Sequence, residues 1–163
     1  MKRNRAYLTL VIYKKFPIRS HGESAYPEEC CGLLLGTITD DIKTLVEVWP
    51  ADNAWSAEAQ ENWPEQTGLT ERRRYAIKPE DMLRAMKHGR DRTLDIIGIY
   101  HSHPDCPAVP SECDRKMAWA KYSYIIVSVR QGSSEDLRSW SLDAEGNFQA
   151  EEIIAIEPTQ IKK

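Results

Sequence analysis

Gly98-Ile99-Tyr100-His101-Ser102-His103-Pro104 is the stretch around which the fold of this 163-residue chain can be predicted. The apolar pair Ile96 and Ile97 precedes it and indicates a buried strand that ends where the histidines begin. Along a strand, residues i and i+2 point to the same face of the sheet. We therefore expect His101 and His103 to present their imidazoles side by side at the end of a central strand.

A short proline-rich loop follows, and we expect it to return the chain toward the histidines. Ser111 then opens a predicted helix with Asp114 in its first turn. Two imidazoles and one carboxylate would leave a tetrahedral zinc ion one open corner for water, which is typical of catalytic rather than structural zinc sites. The candidate ligands are His101, His103 and Asp114.

Each part of this pattern also has an ordinary explanation. An isolated H-x-H is more often a pair of packed or solvated histidines than a metal site. Ser111 and Asp114 alone are explained as a helix N-cap and a carboxylate that favours the helix dipole. The order H-x-H-P followed by S-x-x-D, with ten residues between His103 and Asp114, resembles the signature of the JAMM (MPN-plus) metallopeptidases.

An upstream segment completes the resemblance. The family pattern P-x-E-x-C-G-L-L-x-G is matched over residues 27–36, with the sequence PEECCGLLLG. By alignment to this pattern, Glu29 rather than Glu28 takes the catalytic position. A single glutamate is most often a solvent-exposed acid, but the conjunction with the downstream elements favours a functional role for Glu29.

The resemblance implies five site residues and one cofactor. A single Zn²⁺ per chain would be held by His101, His103 and Asp114. Glu29 would take a proton from water and hand it to the leaving amine, and Ser111 would donate its hydroxyl to the developing oxyanion. The reaction implied is hydrolysis of a peptide or isopeptide bond.

The order of predicted elements agrees with an α/β fold. A β-α-β-β-β-α-β-α-β-β-β order predicts one domain (1–163, core about 7–155) with a curved mixed β-sheet flanked by helices. The resemblance implies the MPN/JAB, cytidine-deaminase-like version of that fold. The predicted strands cover 7–13, 33–35, 44–49, 74–78, 95–100, 124–129, 137–142 and 148–154, and the predicted helices cover 14–25, 79–88 and 111–122. On the second helix, we expect Met82, Leu83 and Met86 to form the inner face.

Composition excludes several classes of protein. Hydrophobic residues at 41% and charged residues at 29% are ordinary for a soluble globular domain. A net charge of −3 gives no basic footprint for nucleic acid or an anionic membrane. No apolar run approaches the roughly 20 residues needed to span a bilayer, and the N-terminal apolar stretch indicates a strand rather than a signal peptide. We therefore expect a cytoplasmic protein with four reduced cysteines.

A narrower resemblance concerns the substrate. The segment HSHPDCPAVPSECD (101–114) is similar to the corresponding segment of small prokaryotic-type JAMM proteins linked to sulfur metabolism. Those members are associated with ubiquitin-like sulfur-carrier proteins, whose Gly-Gly tails they trim or release from conjugates. The implied partner is therefore such a protein, with the chain acting as a monomer or a homodimer.

Competing interpretations remain open to test. A catalytically inactive MPN scaffold would lose one or more ligands, whereas this sequence retains them all. A cysteine hydrolase with Cys106 as nucleophile and His103 as base would leave Asp114 without a role. H-E-x-x-H zincins and the zinc deaminases require motifs that the sequence lacks.

Two further hypotheses concern segments near the predicted site. Residues 54–70 form a long polar stretch with Trp55 and Trp63, and we expect a substrate-contacting loop there. Cys106 follows His103 by three residues, so its thiolate is a candidate regulatory contact to the zinc.

Overall fold

The computed structural model describes residues 9–13, 17–55 and 75–156, with side chains described for 17–55 and 75–155. Seven strands and three helices are formed within these residues. The strands are β1 (Thr9–Tyr13), β2 (Cys31–Thr39), β3 (Ile42–Ala51), β4 (Asp95–Pro104), β5 (Ser123–Arg130), β6 (Ser133–Leu142) and β7 (Phe148–Ile156). The helices are α1 (Ile18–Ala25), α2 (Pro79–Asp91) and α3 (Glu112–Met117).

The strands form one mixed sheet in the order β1-β3-β2-β4-β5-β6-β7. Pairing is parallel between β4 and β5 and antiparallel between β2 and β4. The first and last strands also pair in parallel, with Thr9 beside Glu152, so the sheet closes on itself as a barrel. The predicted α/β architecture with a curved mixed sheet is confirmed. The sheet curves so far that its first and last strands pair.

Two hydrophobic clusters cover the two faces of the central strands. On one face, Ile18 of α1 packs with the alternate residues Ile125, Val127 and Val129 of β5. On the other face, Ala85 of α2 packs with Leu33, Leu35, Ile99 and Tyr124. Helices therefore lie against both faces, and the central strand β4 is buried between them.

Several predicted boundaries change. The central strand continues through both histidines to Pro104, because β5 pairs in parallel with β4 along residues 98–104. The helix predicted over 111–122 ends at Met117, where Ala118 adopts an extended conformation. Residues 75–78 of the strand predicted at 74–78 have no regular secondary structure.

The predicted inner face of α2 is confirmed at Met82, which packs against the second hydrophobic cluster, and is wrong at Leu83 and Met86. Leu83 and Met86 are 52% and 55% exposed, whereas Asp81, Ala85 and Gly89 are buried. The reason is steric: a Cβ at Gly89 would lie 2.7 Å from the carbonyl oxygen of Leu94. A side chain at Gly89 would also meet Leu35 of β2, so this position admits no side chain, whereas Asp81, Met82 and Ala85 form the rest of the inner face.

No helix in the described ranges is long and apolar enough to cross a membrane. All four cysteines lie in the described part of the chain, and no disulfide is formed among them there. Most of the predicted loop at 54–70 lies outside the described residues, and the single-domain prediction for 1–163 stays a prediction.

Candidate active site

The two histidines are held on one strand by its neighbours on both sides. In the registers of the sheet, His101 lies opposite Cys31 of β2 and beside Ile126 of β5. His101 is fully buried and His103 is 8% exposed. Alternation puts both imidazoles on the same face, which confirms the expectation from their spacing.

Asp114 joins the two imidazoles from the first turn of α3. Its Oδ1 lies 3.3 Å from Nε2 of His101, and its Oδ2 lies 3.2 Å from Nε2 of His103. The two Nε2 atoms are 3.1 Å apart. One ligand atom from each residue therefore falls within 4.8 Å of the others, as a shared metal ion requires.

A backbone carbonyl fixes the orientation of one imidazole. The Nδ1 atom of His103 lies 2.8 Å from the carbonyl oxygen of Pro107, to which it can only donate a hydrogen. The proton of neutral His103 is thereby placed on Nδ1, and the lone pair of Nε2 faces the cluster. This is the usual arrangement for a histidine that ligates a metal.

Side chains from three elements hold the loop that carries this carbonyl. Tyr26 donates its hydroxyl to Asp105 at 2.8 Å, and Ser128 donates to the carbonyl of Cys106 at 2.7 Å. The indole Nε1 of Trp140 donates to the carbonyl of Ala108 at 3.0 Å. The loop is therefore anchored on both sides of Pro107.

A reciprocal hydrogen-bond pair positions Asp114. The Ser111 hydroxyl oxygen accepts from the amide of Asp114 at 3.1 Å, and the Ser111 amide donates to Oδ2 of Asp114 at 2.8 Å. This capping box confirms the predicted N-cap at Ser111. Because its oxygen serves as an acceptor there, the Ser111 hydroxyl keeps its own hydrogen available for donation.

The charges of the cluster fit a cation. Burial lowers the pKa of His101, which favours the neutral imidazole that a metal needs. Burial alone would raise the pKa of Asp114, but in the metal-free site the charge and hydrogen bonds of the imidazoles of His101 and His103, when these are protonated, hold that pKa well below its usual range. The Nδ1 atom of His101 is buried without a hydrogen-bond partner among the described residues. Two neutral nitrogen donors and one carboxylate are a donor set that zinc prefers.

Glu29 reaches the same region from the segment between α1 and β2. It is 6% exposed and precedes Cys31, the residue opposite His101 in the antiparallel register. Continuing that register upstream by two residues brings the backbone of Glu29 level with His103. Burial is the largest cause of the raised pKa of Tyr75, and the charges of Asp114 and Glu29 raise it further.

Tyr75 is a site residue that sequence reasoning missed. Its ring stacks on the imidazole of His101, with centroids 4.5 Å apart and an interplanar angle of 23°. Burial is the largest cause of its raised pKa, which keeps the hydroxyl neutral. The sequence carries no signal for this contact beyond an aromatic residue in the segment predicted as a strand over 74–78.

Cys106 lies beside the cluster in sequence but outside it in space. The residue is exposed, and its sulfur is not among the three ligand atoms that converge. A regulatory contact between Cys106 and zinc stays a prediction. Trp55, at the start of the predicted substrate loop, is 5% exposed and lies within the protein.

A family match accounts for this combination of fold and site. Residues 17–143 match the model for prokaryotic homologs of the JAB domain. The chain therefore belongs to that family, which confirms the resemblance seen in its motifs.

Two curated proteins show the kind of relatives the chain has. It is 33% identical to desampylase from Haloferax volcanii over 103 residues, which is 63% of each chain. It is 40% identical over 52 residues to a probable TtuB-protein conjugate cleaving protease from Thermus thermophilus, or 32% of this chain and 35% of that protein. In each case the match spans less than two thirds of the relative.

Two solved structures share the fold over most of the chain. Protein DSY2949 from Desulfitobacterium hafniense has a TM-score of 0.73 at 27% identity, covering 91% of this chain and 93% of that one. A protein from Salinibacter ruber has a TM-score of 0.61 at 40% identity, with 86% of both chains covered.

Proposed function

We propose that the chain is a zinc-dependent isopeptidase that hydrolyses an amide bond at the C-terminal tail of a ubiquitin-like or sulfur-carrier protein. The observation that carries this proposal is the convergence of His101, His103 and Asp114 within 4.8 Å. The buried Glu29, whose backbone is level with His103 in the continued register of β2 and β4, supports it. The names of the relatives, a desampylase and a conjugate-cleaving protease, support the substrate class.

In this proposal, His101, His103 and Asp114 hold one Zn²⁺. When bound, zinc supplies Lewis acidity that lowers the pKa of a water molecule to about 7. The carboxylate of Glu29 accepts the proton that this water loses and delivers it to the nitrogen of the leaving amine. Because Glu29 is buried, little bulk water competes with that transfer.

Ser111 donates a hydrogen bond to the carbonyl oxygen of the substrate in this proposal. The capping box holds its backbone and leaves the hydroxyl hydrogen free to donate to negative charge as it develops. Loss of one such donor costs about 3–4 kcal/mol in other oxyanion holes. The exposure of Ser111 is compatible with a tail that arrives from solvent.

The remaining assignments are part of the same proposal. We place the protein in the cytoplasm as a monomer or homodimer, with a protein substrate and without nucleic acid or membrane partners. The net charge of −3 supports the expected absence of nucleic-acid and anionic-membrane partners, since it provides no attraction for polyanions.

The test uses the purified full chain loaded with zinc. It is incubated with a panel of ubiquitin-like proteins that carry C-terminal peptide extensions or an isopeptide-linked lysine, and products are read by intact mass. We expect a single cut at the tail of at least one substrate, abolished by chelation and restored by zinc. Zinc-loaded protein that cuts none of them would favour an inactive scaffold.

A further inference from the structure

The side chain of Asn53 joins three segments that meet at the site. Its Nδ2 donates to the backbone carbonyl of Glu29 at 3.2 Å. Its Oδ1 accepts from the amides of Trp55 and Ala76, each at 3.1 Å. One amide group therefore links the segment of the proposed general base to two others that are about 20 residues apart in sequence.

Of the two acceptor contacts, the one with Trp55 is local, and the one with Ala76 brings separate parts of the chain together. The amide of Ala54 donates to the carbonyl of Ala76 at 2.8 Å, which adds a direct backbone bond between the same segments. Tyr75, next to Ala76, is thereby held where its ring stacks on His101. Oδ1 of Asn53 thus acts on the His101 imidazole through Tyr75.

The donor contact acts on a different residue. Glu29 lies in the irregular stretch before β2, which begins only at Cys31. Nδ2 of Asn53 holds the Glu29 backbone there from the side. Placement of a reacting group within about 1 Å matters for catalysis, because misplacement on that scale can cost about 10²-fold in rate.

We infer that Asn53 is a positioning residue of the proposed reaction, whose two amide atoms separately locate Glu29 and the ring stacked on His101. The inference rests on the proposed function and assigns no chemical step to Asn53 itself. A purely structural turn residue would instead affect folding and every activity together.

Asn53→Asp separates the two roles. An aspartate keeps the oxygen that accepts from Trp55 and Ala76, but it replaces the donor facing the Glu29 carbonyl with a second oxygen. We expect kcat to fall by roughly 10-fold or more, with KM, zinc content and melting temperature near wild type. Asn147→Asp, the same change in an exposed turn, is the matched control and should leave all four unchanged.

Asn53→Ala removes both roles. In metal-free protein, hydrogen exchange at the amides of Trp55 and Ala76 should accelerate in this variant and stay slow in Asn53→Asp. Loss of the Ala76 anchor should also lower zinc affinity, because the ring that backs His101 is no longer held. These readouts do not depend on activity. Equal exchange in wild type and Asn53→Ala would overturn the proposed role of Oδ1.

A double substitution tests whether Asn53 acts through Glu29. In a Glu29→Gln background, Asn53→Asp should produce no further loss in the residual rate. Two results would overturn the inference: a further loss of rate in the Glu29→Gln background as large as in the wild-type background, or full activity of Asn53→Asp alone. Neither result affects the proposed function, which depends on hydrolysis by the wild-type protein. If Asn53→Asp is recovered unfolded, Asn53→Ser, which shortens the donor, takes its place in the same cycle.

Discussion

The Nδ1 atom of His103 lies 2.8 Å from the carbonyl oxygen of Pro107, so the loop that follows the ligand also sets its tautomer. The loop depends in turn on Trp140, whose Nε1 donates to the carbonyl of Ala108 at 3.0 Å. A strand far along the sequence therefore helps to orient a candidate metal ligand without touching it.

This relationship predicts that Trp140→Phe weakens zinc binding. Phenylalanine keeps an aromatic ring in the hydrophobic cluster but loses the N–H that holds the loop. We expect zinc affinity to fall about 10-fold, the lower end of losses seen for outer partners of metal ligands. Competition with a chromophoric chelator measures the affinity. Trp119→Phe, at a residue 70% exposed, is the control, and an equal loss there would refute the explanation.

The stack between Tyr75 and His101 predicts a second effect on the metal. Tyr75→Leu should lower zinc affinity, because the imidazole loses the ring that restricts its rotation. Tyr75→Phe keeps the ring and should bind zinc nearly as wild type does. The same competition assay compares the two variants; equal losses would show that the hydroxyl rather than the stack matters.

Thiol reactivity should separate the buried Cys30 and Cys31 from the exposed Cys106. Burial raises the pKa of Cys30 to about 11 and raises that of Cys31 still further, so both stay protonated and unreactive at pH 8. Exposed Cys106 should be alkylated first by iodoacetamide in the folded protein. Peptide mapping identifies the sites. Protection of Cys106 by added zinc would support the regulatory contact, and early modification of Cys31 would contradict the burial argument.

We expect a substitution of Gly98 that adds a Cβ to lower the stability of the protein strongly. A Cβ at this position would collide with the backbone carbonyl of Ser123 on the neighbouring strand. Backbone cannot yield as a side chain can, so Gly98→Ala should cost at least about 2 kcal/mol of unfolding free energy. Gly146→Ala meets no atom within 4 Å but has a φ of +80°, and should cost about 1 kcal/mol. Urea unfolding of the metal-free variants compares them; the reverse order would contradict the clash.

The sequence carried enough to predict the cluster of candidate ligands but not its surroundings. His101, His103 and Asp114 lie within 14 residues, and strand alternation with a helix cap brings them together by local rules. Tyr75 and Asn53 join the site through contacts between distant segments. The periodicity of hydrophobic residues in a sequence does not predict such contacts. Their roles could be assigned only once the packing was known.

The error on α2 has a related cause. A hydrophobic period indicates which side chains prefer burial, and Leu83 and Met86 have that preference. The contacts between helix and sheet decide which side chains fit: Met82 and Ala85 pack there, and Gly89 lies where a Cβ would meet Leu94 and Leu35. Closure of the sheet by β1 and β7 likewise depends on the accumulated twist of all seven strands.

Glu29→Gln, measured for zinc content and turnover on the same sample, tests the central claim most directly. We predict one zinc per chain and a rate reduced by about 10²-fold or more, because the residue moves a proton and does not hold the metal. His103→Ala should instead lose both zinc and activity, whereas Glu28→Gln should be mild. Near-normal turnover by Glu29→Gln with zinc bound would contradict the assignment of Glu29 as general base.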